Sequence, residues 1–268
     1  MAFYGCYFSF DGISCEEYGL MLYDFGTAST QSTSTLVPEI EIIEDRSARR
    51  FTPISYGTVL NKPLTFNMTF GANEHSATIG RELDRWDADA VAGWLTGHQT
   101  YKWLEIFQPD METFRYRCII QNLNQVSIGN MQWGFTCTVV CDSPFAYTDE
   151  ERTKIVSNGY KEIAFFNRST YNGLYKPKME ISITRGGEFS IENVTDGGRI
   201  TEFTGMPTTA KLLIIDNENE IITCPTVSNP YQYFNFKFLR LRRGMNTLKI
   251  NGVGTLELIC SFPVSIGG

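Results

Sequence analysis

Alternation is the feature that most constrains this chain. The segment PLTFNMTFG (63–71) places Leu64, Phe66, Met68 and Phe70 at every second position. That is the period of a strand with one face buried and one wet. The same period recurs in MEISITRGGEFSIENV (179–194), AKLLIIDNENEIITC (210–224) and NTLKINGVGTLELIC (246–260). Each carries a turn signal near its centre: Gly186-Gly187, Asp216-Asn217 and Asn251-Gly252. Three hairpins are therefore expected in the last hundred residues, the pattern of an antiparallel sandwich or jelly roll. The opening stretch FYGCYFSFDGISCEEYGLML (3–22) adds a hairpin about Asp11-Gly12.

One segment breaks the period. In SATIGRELDRWDADAVAGWLTG (76–97), Ile79, Leu83, Trp86, Ala90, Val91, Trp94 and Leu95 recur at three and four residues. That spacing predicts an amphipathic helix near 78–97, laid across a sheet and stopped at Gly97. Gly93 is a place where it would divide.

CDSPFAYTDEERTKIVSNGY (141–160) reads as a boundary, because Asp142-Ser143-Pro144 ends a strand and a charged stretch follows. The expected organisation is a domain at 1–145, a linker at 146–159 and a second domain at 160–268. The stretch GTASTQSTST (26–35) reads as a polar loop within the first domain.

Charge and motifs exclude several functions. A net charge of −7 is opposed to binding that depends on neutralising phosphates, so no specific nucleic-acid partner is expected. No basic–apolar leader precedes Arg46 and no run nears the ~20 apolar residues of a membrane span. Synthesis in the cytosol and no membrane insertion are expected, and the three N-x-S/T sequons at Asn67, Asn167 and Asn193 are read as chance. The seven cysteines are expected reduced. Cys137 and Cys141 share a strand face but lie roughly 13 Å apart along it, too far for one zinc ion. No metal, cofactor or catalytic residue is expected. His75 and His98 have no nucleophile motif beside them. The acids Glu39, Glu41, Glu44 and Asp45 alternate in PEIEIIEDR as the wet face of a strand, not as a glycosidase pair.

Two stretches offer binding chemistry. FLRLRRG (238–244) sets Arg240 and Arg242 on one strand face with Arg243 at a turn, either a patch for an acidic partner or a solvated edge. NPYQYFNFKF (229–238) alternates Phe234, Phe236 and Phe238 toward one face, read as core, with Tyr231 and Tyr233 open for stacking on a sugar ring.

Several segments together resemble a known family. FSFDGISCEEYGLML (8–22) is similar to the first hairpin of the distal tail proteins (Dit) of long-tailed bacteriophages. RELDRW…WLTG followed by YKWLEIFQPDMETFRYRCII (101–120) resembles that family's helix, strand, Pro-Asp turn and second strand. WGFTCTVVCDSPFAY (133–147) resembles the strand that closes its N-terminal domain. GMNTLKINGVGTLELIC (244–260) resembles its closing hairpin.

The resemblance implies a mainly β chain with one amphipathic helix. Its N-terminal domain would be a tail-tube-like β-barrel or sandwich that forms a ring, and its C-terminal domain a galectin-like β-sandwich. It implies a structural virion protein, not an enzyme, at the distal end of a non-contractile tail. Six copies would form a hub ring that lets DNA pass. The implied partners are the tail tube protein, the tail-associated tip protein and a receptor-binding protein. The alternative is a carbohydrate-binding module recognising the host cell surface. The ring or partner interface residues are unknown at this level.

Overall fold

The computed structural model describes residues 7–26, 40–46, 51–60, 63–72, 83–107, 114–128, 131–207 and 212–265. The chain divides into two compact units, the second spanning Asp149–Val264. Both are mainly β, and one α-helix occurs among the described residues.

In the first unit the strands are β1 (Tyr7–Phe10), β2 (Ile13–Ser14), β3 (Leu20–Gly26), β4 (Ile40–Asp45), β5 (Ile54–Leu60), β6 (Thr65–Ala72), β7 (Lys102–Phe107), β8 (Phe114–Ile128), β9 (Met131–Cys141) and β10 (Ala146–Tyr147). Seven of them pair in the order β2-β1-β7-β8-β9-β6-β3, and β10 adds to β8. The expected turn at Asp11-Gly12 forms: both residues take positive φ, 53° and 80°, and Phe10 pairs with Ile13 across a two-residue loop. That is the geometry Asp-Gly favours in a hairpin. β3 then leaves this hairpin and pairs with β6 instead. The alternation in β6 holds for Met68 and Phe70, which are buried.

The helix α1 runs Arg85–Thr96 and stays continuous through Gly93. Residues 73–82 lie outside the described set, and with them the expected contribution of Ile79. Asp84 starts the helix: its carboxylate accepts from the Asp87 N–H at 2.9 Å and its own N–H donates to Asp87 at 3.0 Å. This reciprocal cap ties up two of the donors every helix start leaves unpaired. It also resets the phase of the apolar stripe. Leu83 precedes the helix, so Trp86 and Ala90 do not continue its register. Ala88, Val91, Trp94 and Leu95 face the core, whereas Trp86 is 80% exposed. The expected place of Trp86 and Ala90 on the buried stripe is thus corrected. Trp94 stacks on Phe8 (5.7 Å) and Tyr18 (4.7 Å), joining helix to sheet.

In the second unit six strands form one sheet: β11 (Glu151–Asn167), β12 (Lys178–Asn193), β13 (Arg199–Phe203), β14 (Leu212–Asp216), β15 (Ile221–Thr223) and β16 (Gly244–Cys260). The sheet order is β11-β16-β12-β14-β15, with β13 also on β12. Residues 151–159, expected as linker, are instead the first half of β11. Arg152 and Lys154 lie on the wet face while Ile155 and Ser157 turn inward. Only one of the three expected hairpins forms, β14–β15 around Asp216-Asn217. β12 runs straight through Gly186-Gly187, and β16 through Asn251-Gly252. At Gly187 a side chain would meet the Met206 carbonyl at 2.5 Å, so glycine here permits a close backbone approach rather than a turn. β12 shifts register against β16 between Ile183 and Ser190. Its first half pairs with β14 and its second with β13. Met179 and Ile181 from one half and Phe189 and Ile191 from the other enter the same core. β11 and β16 pair along their full length, from Glu151↔Cys260 to Asn167↔Gly244.

Candidate interaction surfaces

β4 and β5 form a two-stranded sheet of their own, with a register shift between Ile43 and Glu44. Such a ribbon is marginal in water without further cover. Ile42 is 63% and Tyr56 66% exposed, and Phe51 in the connection is fully exposed. The acids of PEIEIIEDR that are described sit on this ribbon, Glu44 paired with Arg46. Glu39 lies outside the described residues. The ribbon is therefore an apolar, acid-fringed surface that nothing among the described residues covers.

The aromatic stretch in the second unit is arranged otherwise than its alternation implies. Phe234 and Phe238 are core, but Phe236 is 64% exposed. Its φ is +58°, a backbone state that costs a bulky residue about 1–3 kcal/mol and turns its side chain away from the alternating direction. Asn235 holds the bend: its side-chain oxygen accepts from the Glu202 and Lys237 N–H groups and its amide donates to the Ile200 carbonyl. Tyr231, stacked on Phe236 at 6.2 Å, donates its hydroxyl to the Glu220 carbonyl and accepts from the Ile222 N–H. The polar atoms next to this ring pair thus serve the backbone. What remains is an apolar surface.

The basic run does not present three free arginines. Arg240 donates through two nitrogens to Asp196, at 2.9 and 2.8 Å, and Arg242 approaches the same carboxylate at 3.8 Å. Arg243 donates to Asn172. Asp196 is buried, so removing its partner would strand a carboxylate in the interior. Beside it, the buried Asn193 donates to the Arg240 carbonyl and to Asn246. A buried asparagine tied into backbone in this way is no glycan acceptor, and Asn167, also buried, donates to the Arg242 carbonyl. The third sequon residue, Asn67, is exposed on β6.

The histidines and cysteines are placed as packing groups. His98 lies against Phe10, ring centres 5.7 Å apart. His75 lies outside the described residues. Six cysteines are buried as free thiols. Burial pushes the Cys15 thiol up to about 11, and those of Cys137, Cys141 and Cys260 to about 12. Among the described residues no group of three His, Cys, Asp or Glu side chains gathers as a metal site. No described helix is long and apolar enough to cross a membrane.

These features define a mainly β chain of two units, with apolar strand surface and single aromatic side chains open to solvent. Comparison with known families is direct. A model described as the phage tail protein N-terminal domain matches residues 3–143, and one described as the phage tail C-terminal domain matches residues 145–260. The chain belongs to this family of phage tail proteins. No curated protein matches it. Among solved structures it is similar to the SPP1 Dit (gp 19.1) protein, described as a paradigm of the hub adsorption apparatus in phages that infect Gram-positive bacteria. The TM-score is 0.66 at 14% identity, over 96% of this chain and 99% of that one. It is also similar to chains of the phage P2 baseplate in its activated conformation with Ca (TM-score 0.54, 10% identity, 96% and 98% covered). The corresponding P2 structure with Sr gives 0.53 at 9% identity, 96% and 97% covered. The resemblance read from the sequence motifs therefore holds at the level of family and fold.

Proposed function

We propose that this chain is the structural subunit of a hub ring at the distal end of a non-contractile phage tail. The observation that carries this reading is the extent of the likeness to the SPP1 hub protein, which runs through both units and nearly all of each chain. Six copies close head to tail, each presenting to its neighbour a surface different from the one it receives, as a cyclic ring requires. The uncovered β4–β5 ribbon supports the idea of an assembly, because its apolar residues need cover that the described part of the subunit does not supply. The first unit forms the ring and meets the tail tube protein on one side and the tail-associated tip protein on the other. The second unit is its outer, galectin-like part, and the receptor-binding protein attaches on the ring's periphery. Six copies carry 6 × −7 = −42, and an acidic channel lets DNA through without holding it. The chain acts by holding partners together, with no chemical step of its own.

The test is the molar mass by light scattering over a concentration series, alone and with the tail tube protein, with negative-stain images of the largest species. A six-fold ring near 182 kDa (6 × 30.4) with a central channel supports the reading. A monomer in both settings overturns it. A sugar-binding role has one feature in its favour, the Phe236–Tyr231 pair. Glycan-array binding by the full chain that Phe236→Ala abolishes would make that reading the better one.

A further inference from the structure

We propose that Cys118 and Cys141 are a latent disulfide pair, joined across β8 and β9 when the protein meets a disulfide oxidant. The two are direct partners in the ladder, Cys118 opposite Cys141. The hydrogen bonds around them fix which kind of partner they are. The Asp142 N–H donates to the Arg117 carbonyl at 2.9 Å, so the bonded pair is the neighbouring Arg117 and Asp142. The Cys141 N–H turns the other way and donates to Leu64 at 2.9 Å. Cys118 and Cys141 therefore occupy a non-hydrogen-bonded position of an antiparallel ladder, where facing Cα atoms stand about 4.5 Å apart and side chains approach most closely. A disulfide needs Cα atoms roughly 4.4–6.8 Å apart. Both side chains point to the same face and both are buried.

The pairing is selective. Cys137 shares the face but stands four residues from Cys141, roughly 13 Å along the strand. Cys15 is engaged elsewhere, accepting from the Phe8 N–H. Cys224 and Cys260 belong to the second unit's core. A disulfide is apolar, so the buried site accepts the oxidised pair as readily as the thiols.

One cysteine loses its proton and its thiolate attacks a sulfur of a small disulfide such as oxidised glutathione. The oxidant's S–S bond breaks and one glutathione thiolate leaves. The second cysteine thiolate attacks the protein-bound sulfur of the mixed disulfide and expels the second glutathione. Two protein thiols are oxidised, one glutathione disulfide is reduced to two thiols, and the protons lost by the two cysteines are taken up by the two departing glutathione thiolates. Burial that resists deprotonation makes the exchange slow, and it proceeds through transient local opening of the sheet. The chemistry stands whether or not the chain forms a hub. Only the setting, a particle that has left the reducing cytosol, rests on that reading.

The test uses the full chain incubated for a day with oxidised glutathione at pH 8.5, then denatured and counted for free thiols. The expected count falls from seven to five. Peptide mapping should find the segments holding residues 118 and 141 joined and about 2 Da lighter than the sum of their thiol forms. The melting temperature should rise on oxidation and return with dithiothreitol. Cys118→Ala and Cys141→Ala should each keep their remaining thiols under the same treatment. A wild-type protein that retains seven thiols, or one that joins a different pair, overturns the proposal.

Discussion

Trp94 donates its indole N–H to the main-chain carbonyl of Phe10 over 3.1 Å, eighty-four residues away in sequence. The bond pins the last turns of the helix to the end of β1, next to the Asp-Gly turn. Its ring meanwhile lies flat on Phe8 and Tyr18. Replacing Trp94 by Ala should cost about 3–5 kcal/mol, the range for emptying a large aromatic site. Phe at this position keeps an aromatic body but removes the indole's bond to the carbonyl. The lost bond should cost about 0.5–1.5 kcal/mol. Urea unfolding of the two variants measures the difference.

Gly71 and Gly134 face each other across β6 and β9. A side chain on Gly134 would stand 2.4 Å from the Phe70 carbonyl oxygen and 2.9 Å from the Gly71 Cα. Backbone, not a flexible side chain, would have to move. Gly134→Ala should destabilise by about 2–3 kcal/mol, read as a drop of about 5–10 °C in melting temperature. Gly12→Ala meets no neighbouring atom and pays only for its positive φ, so it should cost less.

The buried thiols make the protein sensitive to alkali in a defined window. In the folded chain the thiols of Cys137, Cys141 and Cys260 are held up to about 12, against 9.0 for a free cysteine. A raised acid contributes its full stability below the unfolded value and loses it as pH climbs toward the folded one. Stability should therefore fall between about pH 9 and 12. Replacing Cys137 by Val should flatten that fall, measured as the urea midpoint at pH 8 and pH 10.5.

If the β4–β5 ribbon is covered by a neighbouring subunit, charges placed on it should prevent assembly without unfolding the chain. The double variant Ile42→Glu, Tyr56→Glu changes two exposed residues, which usually alters stability by about 0.5 kcal/mol or less each. Its molar mass should stay at 30.4 kDa at concentrations where the parent associates, with an unchanged circular dichroism spectrum. An undiminished oligomer would remove the ribbon from the interface.

The strand character of the chain was legible because its cause is local: Met68 and Phe70 alternate, and Asp11-Gly12 makes its tight turn from its own backbone preferences. What could not be read was decided at a distance. Gly186-Gly187 and Asn251-Gly252 carry the composition of turns, yet β12 and β16 run through them because long partners pair on either side. A glycine that permits close approach and a glycine that permits a turn are the same residue in sequence. Trp86 fits the helical spacing, but the Asp84 cap starts the helix after Leu83 and leaves Trp86 facing water. Phe236 fits the strand alternation, but one left-handed φ turns it outward. The basic run gave no sign of Asp196, which lies 44 residues from Arg240. The interaction surfaces were the least legible, since nothing in a single strand's pattern says whether a neighbouring strand will cover it.

The ladder between β11 and β16 has a consequence for how such chains change. It begins with Glu151 opposite Cys260, so two points near the start and the end of the second unit stand within about 5.5 Å of each other. A unit whose two ends meet behaves as a cassette. Recombination can lift it out, or set another in its place, by joining two neighbouring points without redrawing the sheet of the first unit.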